Sequence, residues 1–448
     1  MTALPIHDWS ALDAAARTRL LARPRVGGTD GGEVLAAARA IIEAVRVEGD
    51  AAVRRYTSRF DGVAPERLAT LAVTPAEFAA ARRALDTAQI TALERAIANV
   101  EAFHAAQRPA PVSLETMPGV RCEQVLRPIR ATGLYVPAGS APLPSAVIML
   151  AVPARLAGCP QRVLCSAPDR DGNVHPAVLV AAELCGIDTV FRIGGAQAIA
   201  ALAYGTASVP KVDKIFGPGN AWVTAAKQLV AADPAGAALD LPAGPSEVLV
   251  IADETARADF VAADLLAQAE HDPVAQAVLV TVSRELAAAV AAEIARQLPQ
   301  LSRQRILAES VRATRLIVVD DLDAAFEVSN AYAPEHLILQ IATPRRWLGS
   351  VASAGSVFIG PWSPEPIGDY CSGANHVLPT YGHARAYSGL SLQDFVKRVT
   401  VQELSATGLA TLGPTASTLA RLEGLDAHAA AVDLRLGAIA AVAAGGAP

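Results

Sequence analysis

Between residues 133 and 359, short apolar runs alternate with Ala-rich helical patterns, which leaves few architectures open. Strand-like runs at 162–166, 189–193 and 212–216 are separated by helical patterns at 177–185, 196–204 and 221–232. A second series places strands at 247–251, 277–282, 315–319, 337–340 and 356–359, with helices at 256–270, 285–298 and 322–332 between them. Strand–helix–strand order predicts parallel sheets covered by helices, hence an α/β fold. Upstream, 34–53 and 75–107 carry helical spacing of Ala, Ile, Leu and Val, and 120–136 turns strand-like. Residues 1–30 read as a helical arm broken by Pro24 and the pairs Gly27-Gly28 and Gly31-Gly32. After about residue 391 the chain reads as helical to its end. No fixed-period repeat accompanies the duplicated style of unit.

A chain of 448 residues exceeds what one simple core organises, so two or more domains are expected. The net charge of −6 comes with no basic block able to track a phosphate backbone, which argues against a nucleic-acid partner. The first 24 residues hold no apolar signal core, and the apolar runs at 145–153 and 436–444 are too short or broken to span a bilayer. A cytoplasmic protein without a membrane role is expected. Five Cys form no CxxC. Cys122, Cys159, Cys165 and Cys185 read as small buried apolar residues in a reducing compartment. Cys371 differs in lying within a polar motif, although no activating base adjoins it.

The candidate chemistry lies at element boundaries. Glu-His occurs twice among only eight His. Glu335-His336 follows Pro334, where a helix stops and a strand begins, and a carboxylate beside an imidazole suits proton transfer. Gln268 and His271 share a helix face at its last turn. They suit either a metal or a surface Gln beside a satisfied His. Asp369 lies in a polar, Gly-punctuated loop after a Pro-rich approach, either as a metal ligand or as a solvated turn residue. Gly424 ends one helix and Asp426 caps the next, so His428 projects from a first turn. The turns Gly194-Gly195-Ala196-Gln197 and Gly217-Pro218-Gly219-Asn220 follow strands and open helices. Neither is GxGxxG; each suits plain turn chemistry or a ligand at a helix N-terminus.

Together these stretches resemble the histidinol dehydrogenase family over nearly the whole chain. The resemblance rests on GLYVPAGSAPLPS at 133–145, RIGGAQAIA at 192–200, FGPGNA at 216–221 and DLPAGPSEVLVIAD at 240–253. It continues with DLLAQAEH at 264–271, NAYAPEHL at 330–337, GDYCSGANHVLPT at 368–380, SGLSLQDF at 388–395 and EGLDAHAAAVDLR at 423–435. It implies a four-electron, NAD-dependent oxidation of L-histidinol to L-histidine through a histidinal-level intermediate, the last steps of histidine biosynthesis. It further implies Zn2+ held by Gln268, His271, Asp369 and His428, the last supplied by the partner in an intertwined homodimer. Glu335 and His336 are implied as the acid–base pair, and Tyr135, Gln197 and Asn220 as NAD-contacting positions. The implied substrate contacts are Ser246 and Glu423, with His376 a further candidate, besides His336 and the four metal ligands.

The resulting expectation is two incomplete Rossmann-like units with small terminal helical arms. The first unit comprises 30–133 and 246–390, the second 134–245, and the arms 1–29 and 391–448. The alternative is a sibling zinc- and NAD-dependent dehydrogenase acting on another amino-alcohol or a sulfonated diol. A binding-only relative is opposed by the intact Glu335-His336 and ligand positions. Three departures from the family pattern stand out: Ala138 and Asp272 occupy positions where Gly is common, and Cys371 replaces a smaller residue beside Asp369.

Overall fold

The computed structural model describes residues 4–24, 31–138, 141–242, 244–443 and 445. The pair Gly27-Gly28, and within the quoted motifs Gly139, Ser140 and Ala243, lie outside these described residues. In chain order the strands are β1 (Ile6–Asp8), β2 (Val112–Met117), β3 (Val120–Pro128), β4 (Ala131–Val136), β5 (Gln161–Ser166), β6 (Val190–Phe191) and β7 (Lys214–Phe216). They continue with β8 (Ala238–Leu239), β9 (Glu247–Ala252), β10 (Gln276–Thr281), β11 (Arg315–Val318), β12 (His336–Gln340), β13 (Ser356–Ile359) and β14 (Val396–Leu404). The chain divides into two compact units, Met1–Gln107 with Ile129–Phe395 and Arg108–Pro128 with Val396–Pro448.

The larger unit holds two parallel sheets. One runs β1-β11-β10-β9-β12-β13 and the other β6-β5-β4-β7-β8. If the strands from β9 onward are counted from one, the first reads 3-2-1-4-5 with β1 added at its edge. The second reads 3-2-1-4-5 counted from β4. This is the doubly wound order with its last strand missing, and the order reverses beside β9 and beside β4. Every residue of β4, β9, β10 and β12 is buried. Helices cover such strands on both faces, which is why they read as continuous apolar runs without alternation.

Several expectations need correction. The N-terminal arm is not wholly helical: Ile6–Asp8 pairs with Leu316–Val318 and extends the first sheet. A three-residue strand is too short to show a period. The helices Gly31–Glu48, Asp50–Asp61, Pro75–Ala84 and Thr87–Ala106 pack largely on the helices around the five-stranded sheet, with Thr87–Ala106 also meeting 246–390 where Asn99 donates to the Cys371 carbonyl at 2.8 Å. Ile41, Ile42, Val45 and Val53 share one core with Ile199 and Val223, so burial, not chain order, assigns them. Nor is the C-terminal region helical from 391. Val396–Leu404 forms β14, antiparallel to β3, within the smaller unit. Two helices, Ala406–Leu422 and Asp426–Ala443, then pack on each other. Among the described residues no helix is long and apolar enough to cross a membrane.

Candidate active site

The helix Leu322–Tyr332 ends at Ala333, whose φ of 55° is left-handed, and Pro334 prevents its continuation. The turn brings Glu335 and His336 to the start of β12, where His336 is in register with Val248 of β9. The two side chains are only 5% and 3% exposed. Glu335 Oε2 accepts the backbone N–H of Glu247 at 2.9 Å, and His336 Nδ1 lies 3.2 Å from the Glu247 carbonyl oxygen. An acceptor at Nδ1 places a proton there and makes Nε2 the working atom. Burial pushes Glu335 up to about 8, against the lowering effect of His336 and the Glu247 N–H. Burial alone would lower the His336 pKa. The Glu365, Glu335 and Asp369 carboxylates outweigh it and hold that pKa well above the usual imidazole range.

A set of metal-capable donors adjoins this pair. Gln268 is fully buried at the end of the helix Ala258–Ala269, and His271 follows one turn later. Donor atoms of His271, Glu365 and Asp369 lie within 4.8 Å of one another. Asp369 Oδ1 is 3.5 Å from His336 Nε2. Burial works to raise the Asp369 pKa. The hydrogen bond and charge of His336, with smaller effects from His376 and His271, nonetheless hold it below the usual range. One orientation of the Gln268 amide sets Oε1 against His336 Nδ1 at 3.2 Å, and the other turns Nε2 toward Glu365. In the latter, Nε2 lies 3.1 and 3.2 Å from the Glu365 oxygens and 3.2 Å from the Glu247 carbonyl oxygen. An amide so held presents Oε1, its metal-binding atom, on the opposite edge.

Glu365 escaped the sequence reading. Its segment, expected as a loop, is the short helix Glu365–Tyr370, which puts Glu365 and Asp369 four apart on one face. Pro364 and Pro366 obscured it, although Pro in a first turn is a helix-start signal. Gly368 lets this helix lie against β13, since a Cβ there would meet Phe358 Cε1 at 2.4 Å. The Phe358 ring also flanks His336, with centroids 5.9 Å apart. Gly368→Ala is expected to cost about 1–3 kcal/mol by overpacking and to lower the denaturation midpoint. An unchanged midpoint would mean that Phe358 swings aside freely.

A cleft of about 1620 Å³ opens beside the donors, lined among others by Tyr135, Gln197, Asn220, Ser246, His271 and Cys371. Tyr135 ends in a hydroxyl that accepts the Gly195 N–H at 3.1 Å, and burial raises its pKa. Gln197 is 1% exposed, and its Nε2 has no partner among the described residues. Asn220 caps its own helix by accepting from the N–H groups of Trp222 and Val223, both at 3.1 Å. The preceding turn is shaped by Gly217, where a Cβ would lie 2.1 Å from the Tyr135 carbonyl oxygen. Lys227 Nζ donates to the Gly217 carbonyl at 2.9 Å, and Asp240 accepts the Gly217 N–H at 2.7 Å. These turns stand at the carboxyl ends of their strands, as open parallel sheets favour. Glu335, His336 and Ser246 stand instead at the amino ends of strands in the other sheet.

The remaining candidates are placed differently. His376 is half-buried, and its Nε2 has no partner among the described residues. Glu423 and His428 belong to the smaller unit, where both are exposed. Glu423 ends one helix, and His428 lies in the first turn of the next. Among the cysteines, Cys159, Cys165 and Cys185 are buried as expected, whereas Cys122 is only half-buried in β3.

The sequence profile described as histidinol dehydrogenase matches residues 26–436. The histidinol dehydrogenase of Xanthomonas euvesicatoria pv. vesicatoria is 55% identical over 438 residues, covering 98% of this chain and 100% of that protein. That of Vibrio vulnificus is 54% identical, covering 96% and 97%. A crystal structure of histidinol dehydrogenase from Elizabethkingia anophelis superposes with a TM-score of 0.91 over 98% of both chains at 42% identity. With the profile and the relatives agreeing over nearly its full length, the chain belongs to the histidinol dehydrogenase family.

Proposed function

We propose that this protein oxidises L-histidinol to L-histidine in two NAD-dependent steps, completing histidine biosynthesis in the cytoplasm. The observation that carries this reading is that one buried segment, Glu335-His336, meets the donors Gln268, His271 and Asp369 next to a cleft lined by Tyr135, Gln197 and Asn220. The donor set fits zinc. It offers an imidazole nitrogen, a carboxylate and an amide oxygen, and the carboxylate, Asp369, is the one of the three buried acids around His336 whose pKa is held below the usual range. Zinc, when bound, supplies a cationic point that orients the substrate, and NAD supplies the hydride acceptor.

The chain's own residues handle the protons. In the first oxidation His336 takes the alcohol proton at Nε2 as hydride leaves the adjoining carbon, the bound cation having offset the carboxylates that otherwise keep the imidazole protonated. In the second, Glu335 takes a proton from the water that adds to the aldehyde, His336 returns its proton to the carbonyl oxygen, and His336 then takes the hydroxyl proton as the second hydride leaves. Ser246 lines the substrate end of the cleft. Glu423 and His428 serve the site of a second copy of the chain in an intertwined homodimer, where His428 completes the ligand set. The unpartnered Gln197 Nε2 and the helix N-termini at Gly195 and Ala221 suit the polar parts of the dinucleotide.

Zinc-loaded protein given L-histidinol is expected to form two NADH per substrate consumed. One NADH per histidinol with accumulating aldehyde would confine the protein to the first step. No reduction by zinc-loaded protein would move the assignment to a sibling dehydrogenase of another amino-alcohol or a sulfonated diol.

A further inference from the structure

Behind the acid–base pair lies a buried ion pair that the chemistry above does not use. Arg23, from the N-terminal segment, donates from Nε to Glu247 Oε2 at 2.5 Å and from Nη2 to Oε1 at 2.8 Å. The two side chains are only 12% and 2% exposed. The Tyr332 hydroxyl stands 3.1 Å from the same carboxylate, and the Arg23 guanidinium lies 4.0 Å from the centre of the Tyr332 ring. Arg23 Nη2 also donates to the Tyr332 carbonyl at 2.8 Å and the Ala333 carbonyl at 3.3 Å. The segment that bears Arg23 is itself tied down, since the Tyr381 hydroxyl donates to the Pro24 carbonyl.

These contacts converge on the two backbone segments that carry the acid–base pair. Glu247 is the first residue of β9, and its N–H and carbonyl oxygen meet Glu335 and His336. Tyr332 and Ala333 form the turn that delivers Glu335. Ala333 holds a left-handed conformation unusual for a residue with a Cβ, which surrounding contacts must maintain. The guanidinium is a rigid planar donor fork, so one side chain can clamp a carboxylate and two carbonyls in a defined relation. We infer that Arg23 is a positioning residue, holding the start of β9 and the Tyr332–Ala333 turn in the relation that aims Glu335 and His336. The inference rests on the proposed roles of those two residues. It gives the N-terminal segment a part in catalysis although Arg23 itself touches no reacting group.

The test compares Arg23→Gln, Glu247→Gln, the double variant and Arg23→Lys, each zinc-loaded, with L-histidinol and with histidinal as substrate. A displacement of an ångström in a catalytic constellation costs on the order of a hundredfold, so each single variant is expected to lose about tenfold or more in kcat. KM for both substrates and the zinc content are expected to stay within about twofold, because none of Gln268, His271 and Asp369 bonds to the Arg23 guanidinium or the Glu247 carboxylate. The double variant should fall no further than the worse single variant, since residues acting as one unit are not additive. Arg23→Lys, which keeps the charge but loses the fork, should recover part of the rate. It carries the test alone if Arg23→Gln fails to fold. A lower Tm with full kcat per folded, zinc-loaded chain would reduce the ion pair to fold support and overturn the inference. A wild type that leaves NAD+ unreduced removes the proposed function, and this inference with it.

Discussion

Glu335→Gln is expected to slow the aldehyde-to-acid step by about a hundred- to ten-thousandfold, the range associated with losing a positioned general base, while alcohol oxidation falls much less. The substitution nearly preserves shape. The amide oxygen can still accept the Glu247 N–H that Glu335 Oε2 now accepts at 2.9 Å, so the turn and His336 keep their places. What disappears is the capacity to take a proton from water. Only the second oxidation needs that capacity, because hydride leaves an aldehyde carbon only after water has added to it. The carboxylate is suited to the task, since burial pushes its pKa up to about 8 and so raises its basicity. Single-turnover NADH formation, started separately from histidinol and from histidinal, measures the two steps. Equal losses in both would mean that Glu335 and His336 act as one unit and would end the proposed division of labour.

Apart from the two-residue β8, which no apolar run announces, the strands from β4 to β13 were legible because each is an apolar run bounded by turn residues. Their pairing was not written in any local pattern. The 3-2-1-4-5 orders come from which faces bury together, and so does the placement of Gly31–Ala106 around the five-stranded sheet. The strands β1 and β14 were missed for different reasons. Ile6–Asp8 has three residues, whereas Val396–Leu404 is largely exposed and amphipathic. In the latter, β-branched Val396, Val399, Thr400 and Val401 were the available signal.

The sequence places Glu335 beside His336 by adjacency alone, whereas the helical spacing read for Gln268 and His271 is not kept, since the helix ends at Ala269 and His271 lies beyond it. The site was hidden where the chemistry depends on tertiary contacts. Nothing near Glu247 in sequence announces that its backbone meets both members of the pair. Glu365 stands apart from Asp369 only until the segment between them is recognised as helical. The expectation that ligands gather at the carboxyl ends of strands covers only half of the cleft. The helix Ala258–Ala269 runs back from β9, so its last turn and Gln268 return to the amino end of that sheet, where β12 begins.

Metal removal is the second large effect. Stripping the protein with a chelator is expected to abolish turnover, and added zinc is expected to restore it. A bound cation contributes several kcal/mol in such sites, which at about 1.4 kcal/mol per tenfold corresponds to a loss on the order of a thousandfold. The charge around His336 is the reason to expect so large a dependence. Three acidic side chains, Glu335, Glu365 and Asp369, are each less than a tenth exposed around one imidazole, and burial pushes Glu335 and Glu365 up to about 8, so a cation beside them favours the ionised forms that the chemistry needs. Glu365 contributes without needing to bind the ion. With the Gln268 Nε2 turned toward it, Glu365 accepts the amide N–H and leaves the amide oxygen free on the opposite edge. Outer contacts of this kind orient metal ligands. Zinc content measured alongside activity separates binding from catalysis, and Asp369→Asn should lose both together. Full turnover by protein verified as metal-free would refute the metal assignment and leave the donor cluster with a structural role alone.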